Sequence, residues 1–325
     1  MKAFQTQSLA SLDEYKFVDL PTPEPASGEV RIRIRACGVG YVDALVAVGR
    51  YQVKPALPYI AGIEIAGVID AVGSEIKDFA PGDRVMSMLP GGGGFAEYGN
   101  AGAFMTMKIP ARLGFAEAAA LRINYTTALY GLRDRGHLKA GEKVLVFGAA
   151  GGVGLAAIQV AKMMGATVIA AASTEEKRAF AKQHGADHII DTNPEGWRDR
   201  LKAIGKVDVV LDPVCGPLFE TAFRSLAWNG RHLVVGFAGS AGQIPALPSN
   251  LTLMKGAALI GVDVRQFMIH QTGDYMAMLL EILGAIEAGK LSPVAGKTFP
   301  FDQAHAALDF ALGGKGLGKT VLEIS

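Results

Sequence analysis

The run Lys143-Val-Leu-Val-Phe-Gly-Ala-Ala-Gly-Gly-Val-Gly154 has the residue types and spacing to hold an anion with backbone alone. Leu145, Val146 and Phe147 read as a buried strand, Gly148 ends it, and Gly151, Gly152 and Gly154 keep side chains away from the turn. A helix over 152–164 would then aim its first N–H groups at a pyrophosphate, with Ala150, Gly151, Gly152, Val153 and Gly154 as the candidate cofactor-binding residues of the turn. Glycine also serves tight strand-to-helix turns, so the flanking pattern matters: Ile158, Val160, Ala161 and Met164 give the helix an apolar face. A second group with chemical reach lies on a loop over 40–51, where the phenols Tyr41 and Tyr51 flank Asp43. Either phenol can donate a hydrogen bond or proton to an oxygen that gains charge, or simply line an aromatic pocket. Asp43 can orient a substrate group or bond nearby backbone, and Arg265 can meet an anionic acceptor or form a salt bridge. No Ser-His-Asp or Cys-His arrangement is present, and no covalent step is expected.

These residues must be positioned by two kinds of structure. Residues 1–122 are β-rich: Val30-Arg-Ile-Arg-Ile-Arg-Ala36 alternates strictly, 63–72 is a second strand, Pro81-Gly-Asp83 is a turn, and 91–94 is a glycine linker. No Lys-Ser or Lys-Thr follows those glycines, as a P-loop requires. From residue 123 the period changes, and apolar runs at 143–147, 167–172, 187–190, 207–212, 231–236 and 258–262 alternate with helical segments. That succession predicts an α/β fold with a doubly wound parallel sheet of the Rossmann kind. The remaining helix over 274–288 and strand over 319–324 are too little for a third domain and are expected to complete the first. The predicted division is therefore 1–122 with 264–325, and 123–263.

Composition narrows the function. Charge is balanced, 32 basic against 31 acidic residues in 325, so clustered cations for nucleic acid or an anionic membrane are not indicated. Two cysteines make neither a disulfide framework nor a four-thiolate zinc site, and a reducing, cytoplasmic setting is expected. No apolar stretch is long enough to span a bilayer.

Several motifs in one order resemble the medium-chain dehydrogenase/reductase superfamily, in its zinc-free NADPH:quinone oxidoreductase branch. They are Ala36-Cys-Gly-Val-Gly-Tyr-Val-Asp43, Pro58-Tyr-Ile-Ala-Gly-Ile-Glu-Ile-Ala-Gly-Val-Ile69, Pro81-Gly-Asp-Arg-Val85, Asn124-Tyr-Thr-Thr-Ala-Leu-Tyr130, Gly148 to Gly154 and Gly318-Lys-Thr-Val-Leu322. The resemblance implies a groES-like catalytic domain interrupted by the nucleotide domain, and a homodimer paired through the sixth Rossmann strand. At the positions that hold catalytic zinc in related alcohol dehydrogenases stand Gly40, Ile63 and Asn124, so no metal is expected. The six histidines lack ligand spacing and read as surface or core residues.

The second strand ends at Ser173, where an NAD-binding acid would sit, with Lys177 following; a hydroxyl and an ammonium suit the 2′-phosphate of NADPH. The family places a lysine at the Lys177 position on that phosphate, whereas the residues alone leave it as a solvated helix-start lysine. Where relatives have a tyrosine after the third strand stands Thr192. The resemblance puts Thr127 at the nicotinamide end, and strand-end position adds Phe237, Val262 and Val264. Lys319 matches a tail lysine of the family or is a strand-end surface residue. Gly40, Leu45 and Ala47 stand where quinone reductases have Asn, Tyr and Arg, which leaves a more apolar pocket. The expected activity is NADPH-dependent hydride transfer to a quinone or other electron-poor conjugated carbonyl. Reduction of an enone or 2-enoyl thioester, or a non-catalytic NADPH-binding scaffold, is the alternative.

Overall fold

The computed structural model describes residues 1–239 and 243–325, in two units: Met1–Arg122 with Pro293–Ser325, and Ile123–Ser292. The first is built on a sheet in which strand Glu29–Val39 is central, flanked by Lys319–Glu323 on one side and Glu64–Val72 on the other. The strict alternation works as expected. Val30, Ile32, Ile34 and Ala36 are buried in the core with Phe4, Tyr15, Phe299 and Leu308, while Arg33 is exposed and Arg31 pairs with Asp70 at 2.6 Å. The tail strand pairs antiparallel to the central one, Val321 opposite Gly38, so that Lys319 enters beside Gly40.

The second unit is a six-stranded parallel sheet. In chain order its strands are Lys143–Phe147, Thr167–Ala171, His188–Ile190, Val207–Asp212, Leu226–Val234 and Ala258–Gly261. Their spatial order is third, second, first, fourth, fifth, sixth, all parallel. The order reverses between the first and fourth strands, which is where an open α/β sheet leaves a crevice for ligands. Continuous apolar runs made these strands legible because both faces of the sheet are covered.

Three expectations are corrected. The 264–292 segment lies in the second unit, not with the first. Its helix Thr272–Glu287 buries Tyr275, Met278, Leu279, Ile282, Leu283 and Ile286 along one face, and Phe267 stacks on Tyr130 at 4.2 Å. The fifth strand, expected over 231–236, runs Leu226–Val234, and Asn229, at φ 58°, and Gly230 sit where its register shifts. The 40–51 segment is not all loop, because Tyr41–Ala47 is helical. Among the described residues no helix is long and apolar enough to cross a membrane.

Candidate functional site: a dinucleotide crevice and a buried ionic cluster

In the second unit the glycines of the turn have distinct jobs. A β-carbon on Gly154 would fall 2.2 Å from the Gly148 carbonyl oxygen, so only glycine lets helix Gly152–Met163 start this close to the first strand. A β-carbon on Gly152 would fall 2.5 Å from Asn124 Nδ2, which packs helix Arg122–Leu129, with the buried Thr127, against the turn. Gly151 is the N-cap of the 152–163 helix, and a β-carbon there would meet only the Gly148 oxygen, at 3.3 Å. The first N–H groups of this helix and the open face at Gly151 fit a pyrophosphate. Ala150 is buried and Val153 half-buried beside them.

The carboxyl ends of the first three strands lie side by side, Phe147 paired in register with Ala171 and Ala171 with Ile190. The Ala149 N–H donates to Ala171 O at 3.3 Å, tying the glycine turn to the end of the second strand. Just beyond that end, Ser173 is exposed, and the Thr174 side chain accepts from the Lys177 N–H at 3.2 Å, which starts helix Glu175–Gln183. Lys177 is half-buried in this first turn. Arg178, which the sequence reading passed over, donates through Nη1 to Ala172 O at 3.1 Å and so holds a second cation at the same strand end. Thr192 follows the third strand and is half-buried. Across the reversal point Phe237 is exposed after the fifth strand, and Val262, buried, and Val264 follow the sixth. Ser173, Thr192, Phe237, Val262 and Val264 thus each follow the carboxyl end of a strand in the same sheet, and Thr127 lies on helix Arg122–Leu129.

In the first unit three ionisable side chains meet under a glycine. Glu64 is 1 % exposed, Asp43 3 % and Lys319 6 %, and Lys319 Nζ donates to Glu64 Oε2. The central strand separates their two strands, and the contact passes beside Gly38, where a β-carbon would come 2.8 Å from Lys319 Cε and 2.2 Å from Ala119 O. Lys319 is thus no surface residue, and it lies in a different unit from the glycine turn. Burial pulls its ammonium down, but the carboxylates of Glu64 and Asp43 outweigh burial and hold it above its ordinary range. Asp43 is pushed up to about 6 by burial, against the opposing pull of Lys319 and the Gly40 N–H. That N–H donates to Asp43 Oδ2 at 2.8 Å, closing the first turn of the Tyr41–Ala47 helix at its Gly40 N-cap. The backbone role for Asp43 is the one observed. The helix carries Tyr41, exposed, at its first position, and Tyr51 follows it half-buried.

Neither thiol is poised for chemistry. Burial, reinforced by Asp43, pushes Cys37 well up, and burial with Asp212 does the same to Cys215. Zinc does not fit either. Gly40 and Ile63 offer no donor atom, and no group of three or more His, Cys, Asp or Glu residues able to hold a metal occurs among the described residues.

A β-rich unit whose chain is interrupted by a six-stranded nucleotide sheet is the architecture of the medium-chain dehydrogenases/reductases. Two family models match, "Alcohol dehydrogenase GroES-like domain" over residues 26–111 and "Zinc-binding dehydrogenase" over residues 152–281. The chain is 36% identical over 308 residues to the quinone oxidoreductase of Pongo abelii, covering 94% of this chain and 92% of that one. A solved quinone oxidoreductase from Thermus thermophilus, determined also as its complex with NADPH, is 32% identical with a TM-score of 0.84 over 99% of this chain and 100% of that one. The CurK enoyl reductase is 26% identical with a TM-score of 0.88, covering 100% of this chain and 99% of that one. The chain belongs to the quinone oxidoreductase family of zinc-free medium-chain dehydrogenases/reductases, and it is an oxidoreductase.

Proposed function

We propose that the protein is an NADPH-dependent reductase that delivers hydride to a quinone or another electron-poor conjugated carbonyl without a metal. The observation that carries this reading is the end of the second strand, where Ser173 replaces a ribose-binding acid and Lys177 and Arg178 supply cations. An acid there would repel a 2′-phosphate; a hydroxyl and two cations suit it. The complex of the Thermus thermophilus relative with NADPH supports the same choice.

In this reading the N–H groups at Gly152 and Val153 bind the pyrophosphate, while Gly151, whose own N–H donates to Gly148 O at 2.9 Å, shapes the turn with Ala150 and Gly154. Ser173, Lys177, Arg178 and Thr192 bind the 2′-phosphate, and Thr127, Phe237, Val262 and Val264 hold the nicotinamide end. NADPH, when bound, supplies the hydride. The chain's task is then to exclude water, orient the acceptor and steady the oxygen that gains charge. Tyr51, with Tyr41 as second candidate, donates a hydrogen bond or proton to that oxygen. The balance for a quinone is one hydride from NADPH and one proton from the medium, giving hydroquinone and NADP⁺. Lys319, the remaining candidate for a cofactor contact, donates to Glu64 and stands beside Gly40 at the start of the Tyr41 helix, near the Asp43 carboxylate.

The test is NADPH consumption with matched quinones, enones and 2-enoyl thioesters, run on the wild type and on Tyr51→Phe. Quinones or enones should drive consumption, and Tyr51→Phe should lower turnover with little change in NADPH affinity. Thioesters as the best substrates would favour the reaction named for the CurK relative. Unchanged turnover in Tyr51→Phe would make that tyrosine a pocket wall.

We further propose a homodimer paired through the sixth strand. Ala258–Gly261 forms the sheet edge, and Leu259, Leu253, Met254 and Trp228 around it are exposed. Light scattering should give the mass of two chains; a monomer at micromolar concentration would contradict this.

A further inference from the structure

The fourth strand ends in Asp212 at the reversal point of the sheet, and its carboxylate is almost wholly enclosed, 1 % exposed. Oδ1 accepts from the N–H groups of Val214 at 2.9 Å and Cys215 at 2.8 Å, and Oδ2 lies 3.1 Å from His232 Nε2. His232, on the fifth strand, is 0 % exposed and packs against Phe219 and Phe223 of one helix, with ring centroids at 4.7 and 6.2 Å. A carboxylate only accepts, so Nε2 carries the hydrogen toward Asp212, and the buried Nδ1 makes no hydrogen bond. A side chain that leaves one polar atom unsatisfied in the core costs stability, which directs attention to what its other nitrogen holds.

What it holds is a short loop with neighbours on both sides of the crevice. Cys215 sits at φ 45°, a left-handed conformation that an L residue keeps only when its surroundings enforce it. The Asp212 carboxylate on the Cys215 N–H does that, and the Cys215 thiol donates to Asp212 O at 3.6 Å. On one side, Pro213 and Val214 abut the glycine turn; a β-carbon on Gly148 would come 3.2 Å from Val214 Cγ2 and 3.5 Å from Pro213 Cγ. On the other, the N–H groups of Ala238 and Gly239 donate to Pro213 O at 3.2 Å and Val214 O at 2.8 Å, fixing the segment that carries Phe237.

We infer that the buried Asp212–His232 pair is a positioning device for cofactor binding, holding the 213–216 loop so that the glycine turn and the Phe237 segment face the dinucleotide in one arrangement. This rests on the NADPH reading above. Neither residue touches the cofactor in this account; both act through the loop.

The experiment is titration of NADPH binding to the purified protein, with melting temperatures alongside, for wild type, His232→Phe, His232→Gln, Asp212→Asn and the double variant His232→Phe/Cys215→Gly. His232→Phe keeps an aromatic ring against Phe219 and Phe223 but loses the bond to Asp212, and its NADPH Kd should rise about tenfold. Asp212→Asn carries the same expectation should His232→Phe fail to fold. His232→Gln, whose amide can reach where Nε2 stood, should recover most of the affinity. So should glycine at 215, which adopts a positive φ without being held there. A packing role alone would move the melting temperature and leave neither rescue. Wild-type binding with unmoved Kd in His232→Phe and Asp212→Asn, or a loss that neither rescue repairs, overturns this inference alone. No NADPH binding by the wild type overturns the cofactor reading and this inference with it.

Discussion

Lys319→Met is expected to lose about 3–5 kcal/mol of folding stability, the usual cost of removing one partner from a buried ion pair. The variant keeps the length of the side chain but leaves Glu64 and Asp43, both buried, without the ammonium that compensates them. In chemical denaturation the midpoint should fall with an unchanged slope. The sign of the pH dependence follows from the same geometry. Burial raises the Asp43 carboxyl and Lys319 opposes that rise, so without Lys319 the Asp43 pKa stands further above its unfolded value; the stability this lends is retained at low pH and lost as pH rises through the raised value. The deficit against wild type should therefore narrow as the solution is acidified. A companion Glu64→Leu/Lys319→Met, which replaces the pair by apolar groups, should recover much of the loss. A Lys319→Met protein within about 1 kcal/mol of wild type at neutral pH, the range of an exposed pair, would mean the pair is solvated in solution.

The second large effect concerns cofactor choice. Lys177→Ala should raise the Kd for NADPH by roughly ten- to a hundredfold, the equivalent of one charge-assisted hydrogen bond of about 1.5–3 kcal/mol. NADH, which lacks the 2′-phosphate, should bind nearly as before. The bond of Arg178 to Ala172 O leaves a second cation at the strand end, so some preference for NADPH should survive in the single variant. Equal loss with both nucleotides would remove Lys177 from the phosphate.

The parallel sheet was legible because its strands are buried on both faces and need no alternation to be recognised: 143–147 and 207–212 fall on observed strands without adjustment. The glycine turn was legible for a steric reason, since Gly152 and Gly154 stand where a β-carbon would collide. What was not legible depends on register and distance. Lys319 and Glu64 are 255 residues apart and meet only because two strands flank Gly38, so the lysine had a surface reading in the sequence. The Tyr41–Ala47 helix is short, and the Asp43 bond that closes its first turn is a local signal hidden by an apolar context. His232 looked like one histidine among six scattered ones until the fifth strand placed it against Asp212. The 264–292 segment shows a related limit. Helical periodicity marked the helix, but only its buried face, from Tyr275 to Ile286, decides which unit it belongs to.

The central claim is metal-free hydride transfer from NADPH, and the most direct measurement is initial-rate NADPH oxidation with a simple quinone before and after exhaustive chelation, with NADH run in parallel. The account predicts oxidation of one NADPH per hydroquinone formed, a clear preference for NADPH over NADH, and a rate unchanged by the chelator. A rate abolished by chelation and restored by zinc, or a preference for NADH, would contradict it.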